Sequence, residues 1–261
     1  MLEILGYVGA LFIGIVLGIT GGGGSILTVP ILVYLLNFNF VIASAYSLFI
    51  VGTTSAFGSF QNFKKGSIDS KTALQFAIPS VLGVYLSRKF IVPNIPDTIF
   101  YFGSLQLTKE TFLMLIFAVV MLLASVSMLK ESKVIVKIEP QNKYWLVLQL
   151  FLVGILIGLI GAGGGFLIIP ALMKLAKLPI RKAIGTSLLI ITINSLIGFL
   201  GDIQTTVIDW KFLLSFTALS VIGIFIGLFI QKYINEKKLK KLFGFFILAM
   251  AVFIIYKEIF S

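Results

Sequence analysis

The chain contains neither cysteine nor histidine. Disulfides, thiolate chemistry, zinc sites and imidazole catalysis are therefore excluded at the outset. Charge is also scarce: Asp, Glu, Lys and Arg make up 12% of the 261 residues, about half the share usual in a soluble domain. Their place is taken by apolar residues, at 59% of the chain with a mean hydropathy of +1.10. One or two soluble domains of this length could not hide so much apolar surface. Runs such as Phe112–Leu129, Trp145–Ile160 and Phe212–Ile230 are long enough for a hydrocarbon core of roughly 30 Å. Lipid is the solvent that fits, and the sequence reads as an all-α polytopic membrane protein.

The net charge of +11 does not point to nucleic acid, because the basic residues cluster between apolar segments and read as topology signals. Near the start there is Glu3 but no basic residue and no small-residue cleavage motif. The first segment is therefore expected to stay rather than to be removed as a signal peptide.

Sliding the chain against itself by 140 residues gives a gapless match, the mark of an internal repeat. Gly18–Pro30 falls on Gly158–Pro170, Ser47-Leu48 on Ser187-Leu188, Ser55 on Ser195, and Ile68-Asp69 on Ile208-Asp209. The expected division is a first transmembrane repeat at 1–130, a connecting loop at 131–143 and a second repeat at 144–261. Each copy has a long glycine-bearing segment (about 4–36 and 144–176), followed by three more apolar segments. These lie at about 40–61, 72–92 and 111–129 in the first copy, and 180–201, 210–231 and 240–258 in the second. Residues 93–110 are too mixed to span and suit the membrane interface.

The glycine-bearing segment would be about 50 Å long as one helix, more than a membrane needs. Its glycines each cost roughly 1 kcal/mol of helix propensity, so the helix should break and return as a re-entrant hairpin. The basic residues arbitrate. If the segment crosses once, the copies are parallel and Lys and Arg divide 12 to 9 between the faces. If it returns, the copies are inverted and one face holds 16, leaving Arg88, Lys89, Lys109, Lys211 and Lys257 on the other. The second division obeys the positive-inside rule with the N-terminus outside. Two inverted repeats, each a re-entrant hairpin plus three transmembrane helices, are the expectation.

Inverted repeats with broken helices at matching positions are the pattern of a secondary transporter. Gly21, Gly22, Gly23 and Gly24, with Gly161, Gly163, Gly164 and Gly165, leave backbone N–H groups open to a ligand. The second arm of each hairpin begins there, with Pro30 or Pro170 expected in or near its first turn. Helix N-termini favour anions, so two such ends would hold a small anion without a buried Lys or Arg. Ser25, Ser47, Thr54, Ser55, Thr186, Ser187, Asn194 and Ser195 are the candidate polar companions. Helix packing is the competing explanation for any single one of them. Asp202 is a possible coupling carboxylate if it lies within the membrane; a solvated loop position is the alternative, and the one favoured. Asp69 and Asp209 suit helix N-caps.

At these motifs the chain resembles the TauE/SafE family of membrane permeases, often described as sulfite exporters. The resemblance rests on the glycine runs and prolines at 21–30 and 161–170, on Ala183-Ile-Gly-Thr-Ser-Leu188 with Asn194-Ser195, and on Gly66-Ser-Ile-Asp69. It spans nearly the whole chain. The first copy departs from the pattern in reading Ala45-Tyr46-Ser47-Leu48, which leaves Tyr46 as either a substitute for a ligand-contacting threonine or a packing residue. The resemblance implies transport of small anions, such as sulfite or organosulfonates, across the cytoplasmic membrane. No metal, cofactor or nucleic acid is implied; the partners are the anionic solute and the lipid bilayer, and the oligomeric state stays open. A passive anion channel would use the same parts. A membrane-embedded enzyme would need clustered His, Cys or paired acids, which the sequence does not offer.

Overall fold

The computed structural model describes residues 2–102, 105–129, 143–203 and 206–260. All but Lys143 of the expected connecting loop lies outside the described residues. In chain order the helices are α1 (Leu2–Thr20), α2 (Gly24–Pro30), α3 (Phe40–Lys64), α4 (Ser70–Leu86), α5 (Val92–Asn94) and α6 (Lys109–Leu129). After the connection come α7 (Lys143–Ile160), α8 (Gly165–Leu175), α9 (Ile180–Asp202), α10 (Trp210–Gln231) and α11 (Glu236–Phe260). Two π-helical turns interrupt the plan, at Ile31–Leu35 after α2 and at Ser87–Ile91 between α4 and α5. Among the described residues, six helices are long and apolar enough to span, three in each half, and the four arms around the glycine breaks are shorter. The chain is a multi-pass α-helical membrane protein.

The stretch before α6 forms an antiparallel hairpin, β1 (Thr98–Phe102) with β2 (Leu105–Thr108). A two-stranded ribbon satisfies backbone groups that a spanning helix would satisfy internally, which suits a segment too polar to cross.

Both glycine-bearing segments break where expected. α2 and the π turn after it fold back along α1: Gly24 lies against Ile13 and Leu17, Gly9 against Ile31, and Gly6 against Leu36. A descending register of this kind makes an antiparallel hairpin, so the second arm returns to the side from which α1 set out. Pro30 is the last residue of α2 and Pro170 the sixth of α8. Both prolines thus lie beyond the expected first turn, because each arm starts at the end of its glycine run and not within it.

Glycines also set how the halves join. Gly14 and Gly18 of α1 press on the backbone of α10 at Ser220, Ile224 and Gly227. The equivalent Gly154 and Gly158 of α7 press on α4 at Ser80 and Val84 and on the π turn at Ser87. Small residues at four-residue spacing let helix backbones touch where lipid gives no hydrophobic drive to pack. The first helix of each repeat therefore packs on the third long helix of the other.

The two equivalent helices α3 and α9 cross at the middle. Leu48 lies against Gly198, Gly52 against Ser195 and Leu196, and Gly58 against Leu188. Rising numbers on one helix meet falling numbers on the other, so α3 and α9 are antiparallel. That relation is consistent with inverted repeats. α3 and α10 run the same way and end side by side at Lys65 and Lys232; partial burial, then the neighbouring Lys232 charge, lowers the Lys65 ammonium below its ordinary range.

Candidate functional site

The breaks begin with a left-handed residue in each copy, Gly21 at φ 73° and Gly161 at φ 70°. Glycine alone takes that conformation without a Cβ penalty, and it is the usual stop for a helix. Each stop is sealed by a backbone bond, Gly21 N–H to Leu17 O at 2.7 Å and Gly161 N–H to Ile157 O at 2.9 Å. The two breaks then meet. A methyl group on Gly22 would overlap the backbone of Gly165, and one on Gly165 would overlap Gly22. Among the described residues, the amides of Gly22, Ala162, Gly163 and Gly164 donate to no protein acceptor. These are the exposed donors that a broken helix supplies.

The meeting point lies where α3 and α9 cross, and Gly163 faces Val51, Ile191 and the Ser195 hydroxyl there. The polar candidates around it are fully buried and divide into two groups. The first is engaged by protein. Ser25 Oγ donates to Gly22 O at 2.6 Å, and Ser187 Oγ to Gly21 O at 2.8 Å. Asn194 Nδ2 donates to Ser80 Oγ at 2.9 Å. Thr186 Oγ1 accepts from the Asp69 N–H at 3.0 Å. The second group comprises Ser47, Thr54, Ser55 and Ser195, whose hydroxyls are buried without any partner. Buried hydroxyls are nearly always bonded; these four stand on the two helices that cross, while Ser87 and Ser220 are orphaned elsewhere.

The site expected from the sequence contains no buried Lys or Arg, yet a buried ion pair stands at its edge. Arg88 has 0% exposure and Asp202 3%, and they form an ion pair with Arg88 Nη2 2.6 Å from Asp202 Oδ2. Arg88 Nε donates to both carboxylate oxygens at 2.9 and 2.8 Å, while Nη1 reaches Ser44 Oγ at 3.1 Å and Gly158 O at 3.3 Å. Ser44 is in turn the residue against which Gly161 packs. Asp202 is thus no solvated loop residue: a charge at the end of α9 stays buried because a guanidinium on α4's continuation neutralises it. The pair escaped the sequence reading because its members lie 114 residues apart. Arg88 inside the apolar stretch 72–92 was the available signal.

Among the described residues, two of the cavities lie on the flanks of the molecule and are not lined by the glycine breaks. One, of about 560 Å³, lies between α4 and α7 and is lined mostly by apolar side chains such as Ile78, Leu82, Leu146 and Phe151. The other, of about 480 Å³, lies where α1 and α10 begin and has Tyr7, Asp209, Lys211 and Ser215 on its wall. The centre is packed shut at Gly22 and Gly165.

The family model described as "Sulfite exporter TauE/SafE" matches residues 7–254. A "Probable membrane transporter protein" of Xylella fastidiosa is 28% identical over 257 residues, covering 94% of this chain and 92% of that one. The "Probable membrane transporter protein YunE" of Bacillus subtilis is 27% identical over 273 residues, covering 96% of each. A protein of the same description from Methanocaldococcus jannaschii is 36% identical over 114 residues, covering 41% of this chain and 43% of its own. No solved structure matches the chain.

Proposed function

The chain belongs to the sulfite exporter TauE/SafE family and is a membrane transporter; from that premise we propose that it exports small anions such as sulfite or organosulfonates by secondary transport. The substrate is held at the midplane, where the two breaks meet between α3 and α9. The observation that carries this reading is the set of unpartnered buried hydroxyls, Ser47, Thr54, Ser55 and Ser195, beside unbonded amides at the breaks. Amide and hydroxyl donors suit an oxyanion, and leaving them unsatisfied costs on the order of 1–3 kcal/mol each. A ligand that satisfies them recovers that cost.

The repeats span the membrane in opposite senses with the N-terminus outside. The antiparallel α3 and α9 support this, as does the excess of Lys and Arg on one face. With the centre closed at the Gly22–Gly165 contact, the conformation suits a transporter that opens to one face at a time. A passive channel built from the same parts would need a continuous path, which the Gly22–Gly165 contact disfavours. The test is uptake into proteoliposomes of sulfite, sulfate, thiosulfate, sulfoacetate and taurine, with and without a pH gradient. Saturable counterflow of at least one anion is expected. Movement that never saturates supports the channel, and no movement of any anion ends the proposal.

A further inference from the structure

The Arg88–Asp202 pair has no counterpart in the other repeat. The positions matching them by the repeat offset are Leu228 and Asn62, and Asn62 merely bonds back to Gly58 O at 2.9 Å. The π turn that carries Arg88 is equally one-sided: Ser87–Ile91 is π-helical, whereas the matching residues end α10 as ordinary α-helix. Single π turns inside helices are frequent at functional sites. The pair also stands on the way to the centre. It lies about 12 Å along α9 from Asn194, toward the face where α3 and α10 begin. Through Ser44 it touches the rim of the second break.

We propose that Arg88 is an anion-binding residue of the transport path, and that Asp202 is a resident carboxylate which the travelling oxyanion displaces. The inference rests on the anion-transport reading above and gives it a charged step. Arg88 Nε donates to both carboxylate oxygens, while Nη2 lies 2.6 Å from Oδ2 without completing a hydrogen bond, so one arm of the guanidinium fork is still open. Two oxygens of a sulfite or sulfonate group fit the same fork, which is the geometry that makes arginine selective for such groups. Asp202 keeps the guanidinium neutralised when no anion is present, since an unpaired buried charge is strongly unfavourable. An oxyanion that takes the guanidinium leaves Asp202 as a buried carboxylate without its counter-charge, so the exchange balances charge only when Asp202 takes up a proton from water as the anion arrives. Because the device occurs on one side only, the two halves of the path differ in their hold on the substrate.

The test compares wild type, Asp202→Asn and the double variant Arg88→Leu/Asp202→Asn, which copies the residues found at the matching positions of the other repeat. Sulfite uptake into proteoliposomes and thermal unfolding with added sulfite are measured for each. Asp202→Asn removes the competitor, so sulfite should half-saturate at about tenfold lower concentration, a change of about 1.4 kcal/mol. Its unfolding midpoint should rise further with sulfite than that of wild type, an effect a purely structural pair would not give. The double variant should unfold near the wild-type midpoint, gain nothing from sulfite and lose saturable uptake. Wild-type uptake by the double variant overturns the inference while leaving the transport reading intact. So does an Asp202→Asn protein that sulfite stabilises no more than wild type, and this comparison decides the matter if the double variant fails to fold. A wild type that moves no anion removes both readings.

Discussion

Tyr46 and Thr186 occupy the same place in the two repeats and perform the same task with different side chains. The Tyr46 hydroxyl accepts from the Asp209 N–H at 2.7 Å, and Thr186 Oγ1 accepts from the Asp69 N–H at 3.0 Å. Each of those aspartates caps the helix that follows, accepting from Phe212 N–H and Thr72 N–H respectively. α3 and α9 thus each latch a helix start of the other repeat. Tyr46 replaces threonine without changing the latch, and its ring gains a place beside Phe38 and Phe212.

The latch predicts a stability effect without a substrate effect. Tyr46→Phe or Thr186→Val leaves one backbone N–H without its acceptor and should cost about 1–2 kcal/mol. Denaturant unfolding measures this, and the half-saturating anion concentration should stay at the wild-type value. A shifted half-saturation at unchanged stability would instead put Thr186 on the substrate.

The orphaned hydroxyls should behave in the opposite way. Ser55→Ala and Ser195→Ala remove groups with no protein partner, so stability should be neutral or slightly improved. Their half-saturating concentration should rise by about tenfold, equivalent to about 1.4 kcal/mol. Ser187→Ala, which loses the bond to Gly21 O, should cost about 1 kcal/mol of stability. Equal behaviour of all three would count against the division into engaged and open groups.

Two glycine substitutions separate contact from conformation. Gly165→Ala drives a methyl into the backbone of Gly22 and should cost about 1–3 kcal/mol by overpacking, with transport lost. Gly66→Ala meets open space at φ 67°, so it should cost about 1–2 kcal/mol for the left-handed conformation alone and leave transport unchanged. Unfolding midpoints and uptake rates for both proteins check the contrast.

The absence of native cysteine makes topology directly testable. Asn37 and Lys177 are equivalent by the repeat offset and share a left-handed backbone, at φ 55° and 53°. Single cysteines at these two positions should react with an impermeant thiol reagent from opposite sides of the membrane. Labelling from the same side would restore parallel repeats.

Much of the architecture could be read from the residues. Glycine runs that cannot stay helical gave the breaks at 21–24 and 161–165, and the basic residues between segments pointed to hairpins that return. The aspartates before α4 and α10 announced their capping role through the Ile-Asp pairs. What escaped was long-range pairing. Nothing in local propensity or periodicity links Arg88 to Asp202, Ser80 to Asn194, or Tyr46 to Asp209. The hairpin at 98–108 was also hidden, because its polarity excluded a span without specifying a strand. The candidate site was legible as a list of residue types; the split between engaged and open hydroxyls needed the third dimension.

The exchange of glycine-lined contacts between the halves bears on how the protein is made. α1 finds its seat on α10, and α4 finds its seat on α7, only after the second half has left the ribosome. Until then the first half must wait in the bilayer with its grooves unfilled, so an isolated half should be a substrate for quality-control proteolysis. The same dependence constrains ancestry. On the inverted arrangement proposed above, a precursor with one unit would close these grooves by meeting a second copy of itself inserted upside down, which calls for a chain able to enter the membrane in both orientations.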